Sequence, residues 1–289
     1  MDILDLKKLD IEARVGFRPG RYTNANRSLA FLAAMLMTIG FYGILINLPS
    51  SLQSERYIGI FTDRGVIPYI TMLAFFWGIC LVWLKARKAN AQASALRFLL
   101  REKVNEWQFS VSDAAKLRDK LTKLVPAPVD FILPNRLYLT LTSLSTLRQP
   151  MAISGLVAEQ ANSDEAQVDD SYSFLTMLLY IIPVLGFIGT VLGLGAAIGN
   201  FGTTLSQVGG ADLDAMLPSL QGVTGGLALA FDTTLLALVA ALLLQIYASF
   251  VRSTETSFLE DCNLFFQQEV FPKLTAEIEE TPTTSTTQA

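Results

Sequence analysis

Two threonines, Thr190 and Thr234, stand out among the residues able to handle a proton or a cation, because each lies inside a long apolar run. A hydroxyl both donates and accepts a hydrogen bond, so two of them at one place can order water or join the oxygen shell of a hard cation. One acid, Asp232, is the only ionisable side chain deep in the second run. A carboxylate in hydrocarbon costs about 2.5–3.5 kcal/mol on insertion scales, so it must be buried against protein or water. The 289-residue chain has no histidine, which removes His-based acid/base catalysis, the serine and cysteine triads that need it, and His metal sites. Cys80 and Cys262 are widely separated and suggest neither a zinc site nor a disulfide. The glycines of Gly193–Gly199 miss the dinucleotide spacing by one residue and follow no strand, and no phosphate-loop motif exists. The expected chemistry is therefore transport without bond-making: no enzyme, no cofactor, no metal and no nucleic-acid partner.

The elements that must position these groups are two apolar segments, Phe174–Phe201 and about Val223–Val251, each longer than the roughly 20 residues needed to cross a bilayer as a helix. On a helical wheel Pro183, Gly186, Thr190, Gly193, Ala197 and Asn200 share one small face of the first segment. Ala230, Thr234, Ala237, Ala241, Gln245 and Ala248 do the same on the second. Thr190 lies twelve residues before Gly202 and Thr234 twelve after Gly222, the ends of the expected turn, so equal rise puts both hydroxyls at similar depth. A lone intramembrane threonine usually bonds back to its own helix. Two at one depth, each on a small face, point to a shared pathway. Gly189, Gly195 and Gly199, off the seam or at its edge, are assigned to close helix packing. Asp232 points about 160° away from Thr234, towards neighbouring helices. That direction favours a structural hydrogen bond, with Thr38 and Tyr42 as candidate partners, over the alternative of a second proton or cation site.

The stretches Ile182–Gly193 (IPVLGFIGTVLG) and Gly226–Leu238 (GLALAFDTTLLAL) resemble the two signature helices of the MotA/TolQ/ExbB proton-channel family. The resemblance implies a homo-oligomeric ring, expected as a pentamer, around two copies of a single-span partner of the MotB/TolR/ExbD kind whose membrane aspartate carries the ion. It also implies that Thr190 and Thr234 face the ring interior, and that Pro183 sits at a helix bend. The flagellar branch lacks the first threonine, so Thr190 leans towards the TolQ/ExbB side. Asp232 departs from the family pattern, which is apolar there. The small faces, with Gly186, Gly193 and Ala230 allowing close approach, would let the partner helix turn against the ring with few interlocking side chains.

A mean hydropathy of +0.41 and a hydrophobic share of 51% suit a multi-pass membrane protein. Leu29–Leu48 and Val66–Leu84 are two further spans near the minimum length. The expected fold is all-α: four transmembrane helices, with a helical cytoplasmic domain made by the loop between spans 2 and 3 and the extension of span 4. Residues 1–28 carry six basic residues, 85–173 carry twelve, and Arg252 follows the last span, whereas Pro49–Gly65 is balanced and Gly202–Gly222 has Asp212 and Asp214 without a base. The positive-inside rule then puts both termini in the cytoplasm of a bacterial inner membrane. The organisation reads as an N-terminal segment (1–28), a first hairpin (29–84), a cytoplasmic helical loop (85–173), the signature hairpin (174–251) and a helical extension with a tail (252–289). Ile3–Val15 is a surface-helix or disordered segment, Ala91–Val104, Ser112–Val125 and Asn135–Arg148 are helix candidates, and Ala161–Asp170 reads as an acidic connector. Phe258, Leu259, Cys262, Phe265, Phe266 and Val270 form an apolar stripe for packing on the extension.

Two other classes compete with the stator reading. A secondary transporter would show an internal repeat with broken helices, and only Pro183 suggests one. A membrane scaffold would be indifferent to Thr190→Ala or Thr234→Ala.

Overall fold

Every regular element among the described residues is helical. The computed structural model describes residues 22–47, 55–147, 150–208 and 213–274. In order these form α1 (Arg27–Ile46), α2 (Glu55–Thr62), α3 (Ile67–Arg101), α4 (Ala114–Leu124), α5 (Ile132–Leu147), α6 (Pro150–Val208) and α7 (Leu213–Phe265). Short 3₁₀ turns at Val104–Glu106 and Pro128–Asp130 flank α4, and a π turn at Phe266–Val270 follows α7. Four of the helices, α1, α3, α6 and α7, are long and apolar enough to span a bilayer, as expected of a multi-pass membrane protein.

The chain divides into two units. The membrane unit, Arg27–Trp83 with Ser173–Ser249, holds the spans. Tyr42, Met72 and Leu236 form its packed cluster with Phe41, Leu45, Ile60, Phe61, Phe75 and Phe76. Large apolar side chains such as Leu36, Phe187 and Phe231 remain on its outside, where lipid or another copy of the chain must cover them. The second unit comprises Leu84–Tyr172 with the described parts of Met1–Asn26 and Phe250–Ala289. Its centre is polar as well as apolar: the Arg136 Nε donates to Asp164 at 2.6 Å and its Nη1 to Asn263 at 2.6 Å, with both members of the ion pair 1% exposed. The Gln92 side chain donates to the Asp130 carbonyl and accepts from the Ile132 amide, which satisfies groups at the start of α5.

Several boundaries differ from the sequence reading. Ala91–Val104 is not a separate helix, because α3 runs unbroken to Arg101. The loop Pro49–Gly65 contains α2. The acidic connector Ala161–Asp170 lies inside α6, where Ile153, Val157, Asp164, Val168 and Tyr172 are all buried at heptad-like spacing. Asp164 occupies an apolar slot of that stripe because Arg136 neutralises it, which hid the stripe from a reading of hydropathy. The turn Gly202–Gly222 shrinks, since α6 continues to Val208 and α7 begins at Leu213. Ser112–Val125 and Asn135–Arg148 correspond to α4 and α5, Ser110 accepting the Asp113 amide ahead of α4. The stripe from Phe258 to Val270 is buried throughout. Ile3–Val15 and the Thr-rich tail lie outside the described residues.

Candidate functional site

The spanning parts of α6 and α7 lie side by side and antiparallel, since Gly186 meets Ala237 while Gly193 meets Gly226 and Ala230. The contact is so close that a Cβ on Gly186 would stand 2.6 Å from the Ala237 Cβ and 3.2 Å from the Thr234 Cα. On Gly193 it would stand 2.8 Å from Leu229 and 3.1 Å from the Gly226 carbonyl oxygen. Glycine at these two positions is thus what lets the backbones touch. The small faces therefore close on each other within one chain. Two antiparallel small faces in one chain are thus each other's complement at Gly186 and Gly193, while Thr190 and Thr234 beside this contact stay partly exposed.

Close approach has a chemical consequence at Thr190 and Thr234. Their hydroxyls are hydrogen-bonded to each other, and each also lies within bonding distance of two backbone carbonyls. Thr190 Oγ1 is 3.1 Å from the Gly186 oxygen, its own i−4 carbonyl, and 3.3 Å from the Ala230 oxygen across the interface. Thr234 Oγ1 is 3.2 Å from the Ala230 oxygen, its own i−4 carbonyl, and 3.1 Å from the Gly186 oxygen. Four oxygens thus form a compact, pseudo-symmetric group in which two O–H protons have more acceptors than they can use. Either hydroxyl can turn from its own helix to the other or to its fellow threonine, so the direction of donation is reversible. Both threonines are only partly buried. The arrangement can relay a proton by reorientation, or present hydroxyl oxygens to a hard cation.

The remaining predicted residues are placed differently. Pro183 lies inside an uninterrupted α6, where its missing N–H leaves the Leu179 carbonyl without the usual intrahelical donor. Gly189 packs as expected, against Thr233 and Ile67, whereas Gly195 and Gly199 meet nothing within 4 Å. These two are not close-packing positions within the chain, because they lie on the outer side of α6. Asp232 is not held by Thr38 or Tyr42. Thr38 donates to the Ala34 carbonyl of its own helix at 2.8 Å, and the Tyr42 ring stacks on Tyr69 with centroids 4.4 Å apart. The partner of Asp232 is Arg64, just ahead of α3, whose Nη2 is 2.7 Å from Oδ2, the two side chains being 26% and 25% exposed. The short α2 and the turn at Gly65, which has a φ of +76° suited to glycine, set Arg64 ahead of α3 within reach of α7.

Sequence reasoning also passed over Thr233, which is buried against Gly189 and donates to the Ala230 carbonyl at 3.0 Å. Its signal was adjacency to Thr234 alone. In the second unit it passed over Lys85 and Glu255, a buried pair 3.5 Å apart. Glu255 follows Thr234 by 21 residues, three heptads on, a spacing that could have placed it on the same stripe of α7.

Residues 132–262 match a family model described as the MotA/TolQ/ExbB proton channel family. The match reaches from the start of α5 well into α7, and so extends beyond the two signature helices. No curated protein and no solved structure gives a significant match.

Proposed function

Because this chain belongs, over residues 132–262, to the MotA/TolQ/ExbB proton channel family, we propose that it is the ring-forming subunit of an ion-driven stator. Its chemistry is transport and not bond-making. The ring, of five copies, sits in a bacterial inner membrane with both termini cytoplasmic and encloses two copies of a single-span partner of the MotB/TolR/ExbD kind. The partner's membrane carboxylate carries the ion, and ion motive force becomes movement of that partner. Moving one charge across the membrane releases about 2.3 kcal/mol per 100 mV, enough to bias a helix between two orientations.

The observation that carries this reading is the cluster of Thr190, Thr234 and the Gly186 and Ala230 carbonyls in two spanning helices of a proton-channel family. A partner carboxyl beside it would exchange its proton through hydroxyls that need only rotate. Sodium is the competing cargo, since a hydroxyl oxygen suits it equally. Asp232 acts as the counter-ion of Arg64 and fastens the start of α3 to α7, and so supports the pathway without entering it.

The test is co-expression with the single-span partner, subunit counting by native mass spectrometry, and proton flux in proteoliposomes. Five copies holding two partners, with flux abolished by Thr190→Val/Thr234→Val and kept by Thr190→Ser/Thr234→Ser, is the expected result. A monomer or dimer that ignores the partner would overturn the reading and favour a secondary transporter. Flux indifferent to both threonines would leave a scaffold.

A further inference from the structure

The side of the α6–α7 hairpin that carries the threonines is not the side that α3 covers. Gly189 of α6 packs against Thr233 of α7 and Ile67 of α3, and Gly78 of α3 packs against Leu244 of α7. On a helical wheel Tyr180 points about 180° away from Gly189, while Gln245 points about 120° away from Thr233 and only about 20° from Thr234. Both side chains are exposed, Tyr180 at 73%, and neither makes a hydrogen bond among the described residues. The contacts Gly186–Ala237, Gly193–Ala230 and Ala197–Gly226 share one antiparallel register. In that register Tyr180 and Gln245 stand level to within about 3 Å. They lie about 15 Å from the threonine pair, towards Ser173 and Ser249, where the membrane unit ends. Pro183 is about 20° from Thr190 on the wheel, so the Leu179 carbonyl that it leaves without a donor opens on the same side. A phenol, an amide and a freed carbonyl thus gather in this half of the threonine side. The other half is apolar: Leu194, Leu227 and Phe231 are exposed there, each within about 60° of the threonine on its own helix.

We propose that Gln245 and Tyr180, with the Leu179 carbonyl, line a hydrated inner half of the ion route, leading from Thr190 and Thr234 to the cytoplasmic end of the hairpin. This rests on the transport reading given above. An amide and a phenol turned to hydrocarbon would lack hydrogen-bond partners, which the bilayer interior penalises heavily. Facing a file of water removes that penalty. The gap of about 15 Å takes about four waters at a hydrogen-bond spacing of about 2.8 Å, and the protein groups hold the file in place. The Gln245 amide and the Tyr180 hydroxyl each donate and accept, and the Leu179 carbonyl accepts. None of them is charged, so an ion is neither trapped nor repelled on its way. A proton passes by rearrangement of hydrogen bonds, with no covalent change to the chain. A helix of another copy packed over Gln245 and Tyr180 would also satisfy them, but it would not account for polar groups confined to the inner half of the threonine side. Leu194, Leu227 and Phe231 deny water the same route from the outside, so the ion reaches the threonines on the partner's carboxylate and leaves inward through water.

The experiment combines cysteine accessibility with flux, on the full chain co-expressed with its partner. In a Cys80→Ala/Cys262→Ala background, Gln245→Cys, Tyr180→Cys, Leu194→Cys and Leu227→Cys are exposed to a charged, membrane-impermeant maleimide in inverted vesicles. A thiol reacts as its thiolate, which forms in water and not in hydrocarbon. Gln245→Cys and Tyr180→Cys should label at least tenfold faster than Leu194→Cys and Leu227→Cys. Proton flux in proteoliposomes should fall by roughly tenfold in Gln245→Leu, the order that one lost hydrogen bond gives, with partial recovery in Gln245→Asn. Tyr180→Phe should act in the same direction, and it carries the flux test if Gln245→Leu does not assemble. Labelling no faster at Gln245→Cys and Tyr180→Cys than at Leu227→Cys would put both side chains in lipid or between copies and overturn the hydrated route. Fast labelling with normal flux in Gln245→Leu and Tyr180→Phe would make them residues of the membrane surface and overturn it too. A wild type that passes no protons with its partner, while the two cysteines label fast, would overturn the transport reading instead.

Discussion

Replacing Asp232 or Arg64 singly should harm the protein far more than replacing both. The pair is 2.7 Å apart, and each side chain is about three-quarters shielded, at 25% and 26% exposure. Asp232→Leu leaves the guanidinium without its counter-ion in the membrane unit, and Arg64→Leu leaves a carboxylate on a spanning helix. Breaking a fully buried pair costs about 3–5 kcal/mol, and a lone charge at a helix centre about 2.5–3.5 kcal/mol. Partial exposure puts each single variant at the lower end, about 2–3 kcal/mol. Arg64→Leu/Asp232→Leu removes both charges and should lie within about 1 kcal/mol of wild type, since apolar replacement of such a pair is often neutral. The double-mutant cycle should therefore give a coupling of about 3 kcal/mol or more. Reversible unfolding in mixed micelles, followed by helicity, measures it. A coupling near zero would refute the claim that Arg64 is what makes Asp232 tolerable in α7. Asp232→Asn with unchanged stability but lost flux would refute its supporting role and return it to the ion pathway.

The glycines of α6 offer an internal contrast: Gly186→Ala and Gly193→Ala should each cost about 1–3 kcal/mol by overpacking, while Gly195→Ala and Gly199→Ala should be neutral or stabilising by up to about 1 kcal/mol in a chain unfolded from the monomer. Loss of the ring in Gly195→Ala with monomer stability intact would instead make the outer side of α6 a contact between copies. The Lys85–Glu255 pair predicts a pH signature. A carboxyl raised on folding adds stability that is fully present below its unfolded value and is lost as pH rises through the folded one. An ammonium lowered on folding adds stability that is present above its unfolded value and lost as pH falls through the folded one. Thermal melting from acid to neutral pH should thus show wild type losing ground against Glu255→Gln as pH rises, and parallel curves would contradict this. Cys262 is fully buried and its thiol is pushed up to about 12, so it should resist maleimide labelling until the second unit unfolds; rapid labelling under native conditions would contradict the burial of the α7 extension.

Spanning segments, family and the threonine pair were legible in the sequence because each rests on local properties. Apolar length identifies a membrane helix, periodicity puts Thr190 on the face of Gly186 and Gly193, and equal spacing from the turn puts Thr234 at its depth. The turn is shorter than Gly202–Gly222, α6 running about seven residues and α7 about ten residues into it, yet Thr190 and Thr234 still meet. Tertiary structure alone decided what those faces meet. A small face carries no label saying whether its complement lies in the same chain or in another, and here Gly186 and Gly193 meet α7. It also decided the partners of charged groups, which depend on long-range proximity and leave no periodic trace: Arg64 for Asp232, Arg136 for Asp164 and Lys85 for Glu255. Hydropathy marks such residues as solvated, whereas a buried pair cancels the charge that the sequence displays.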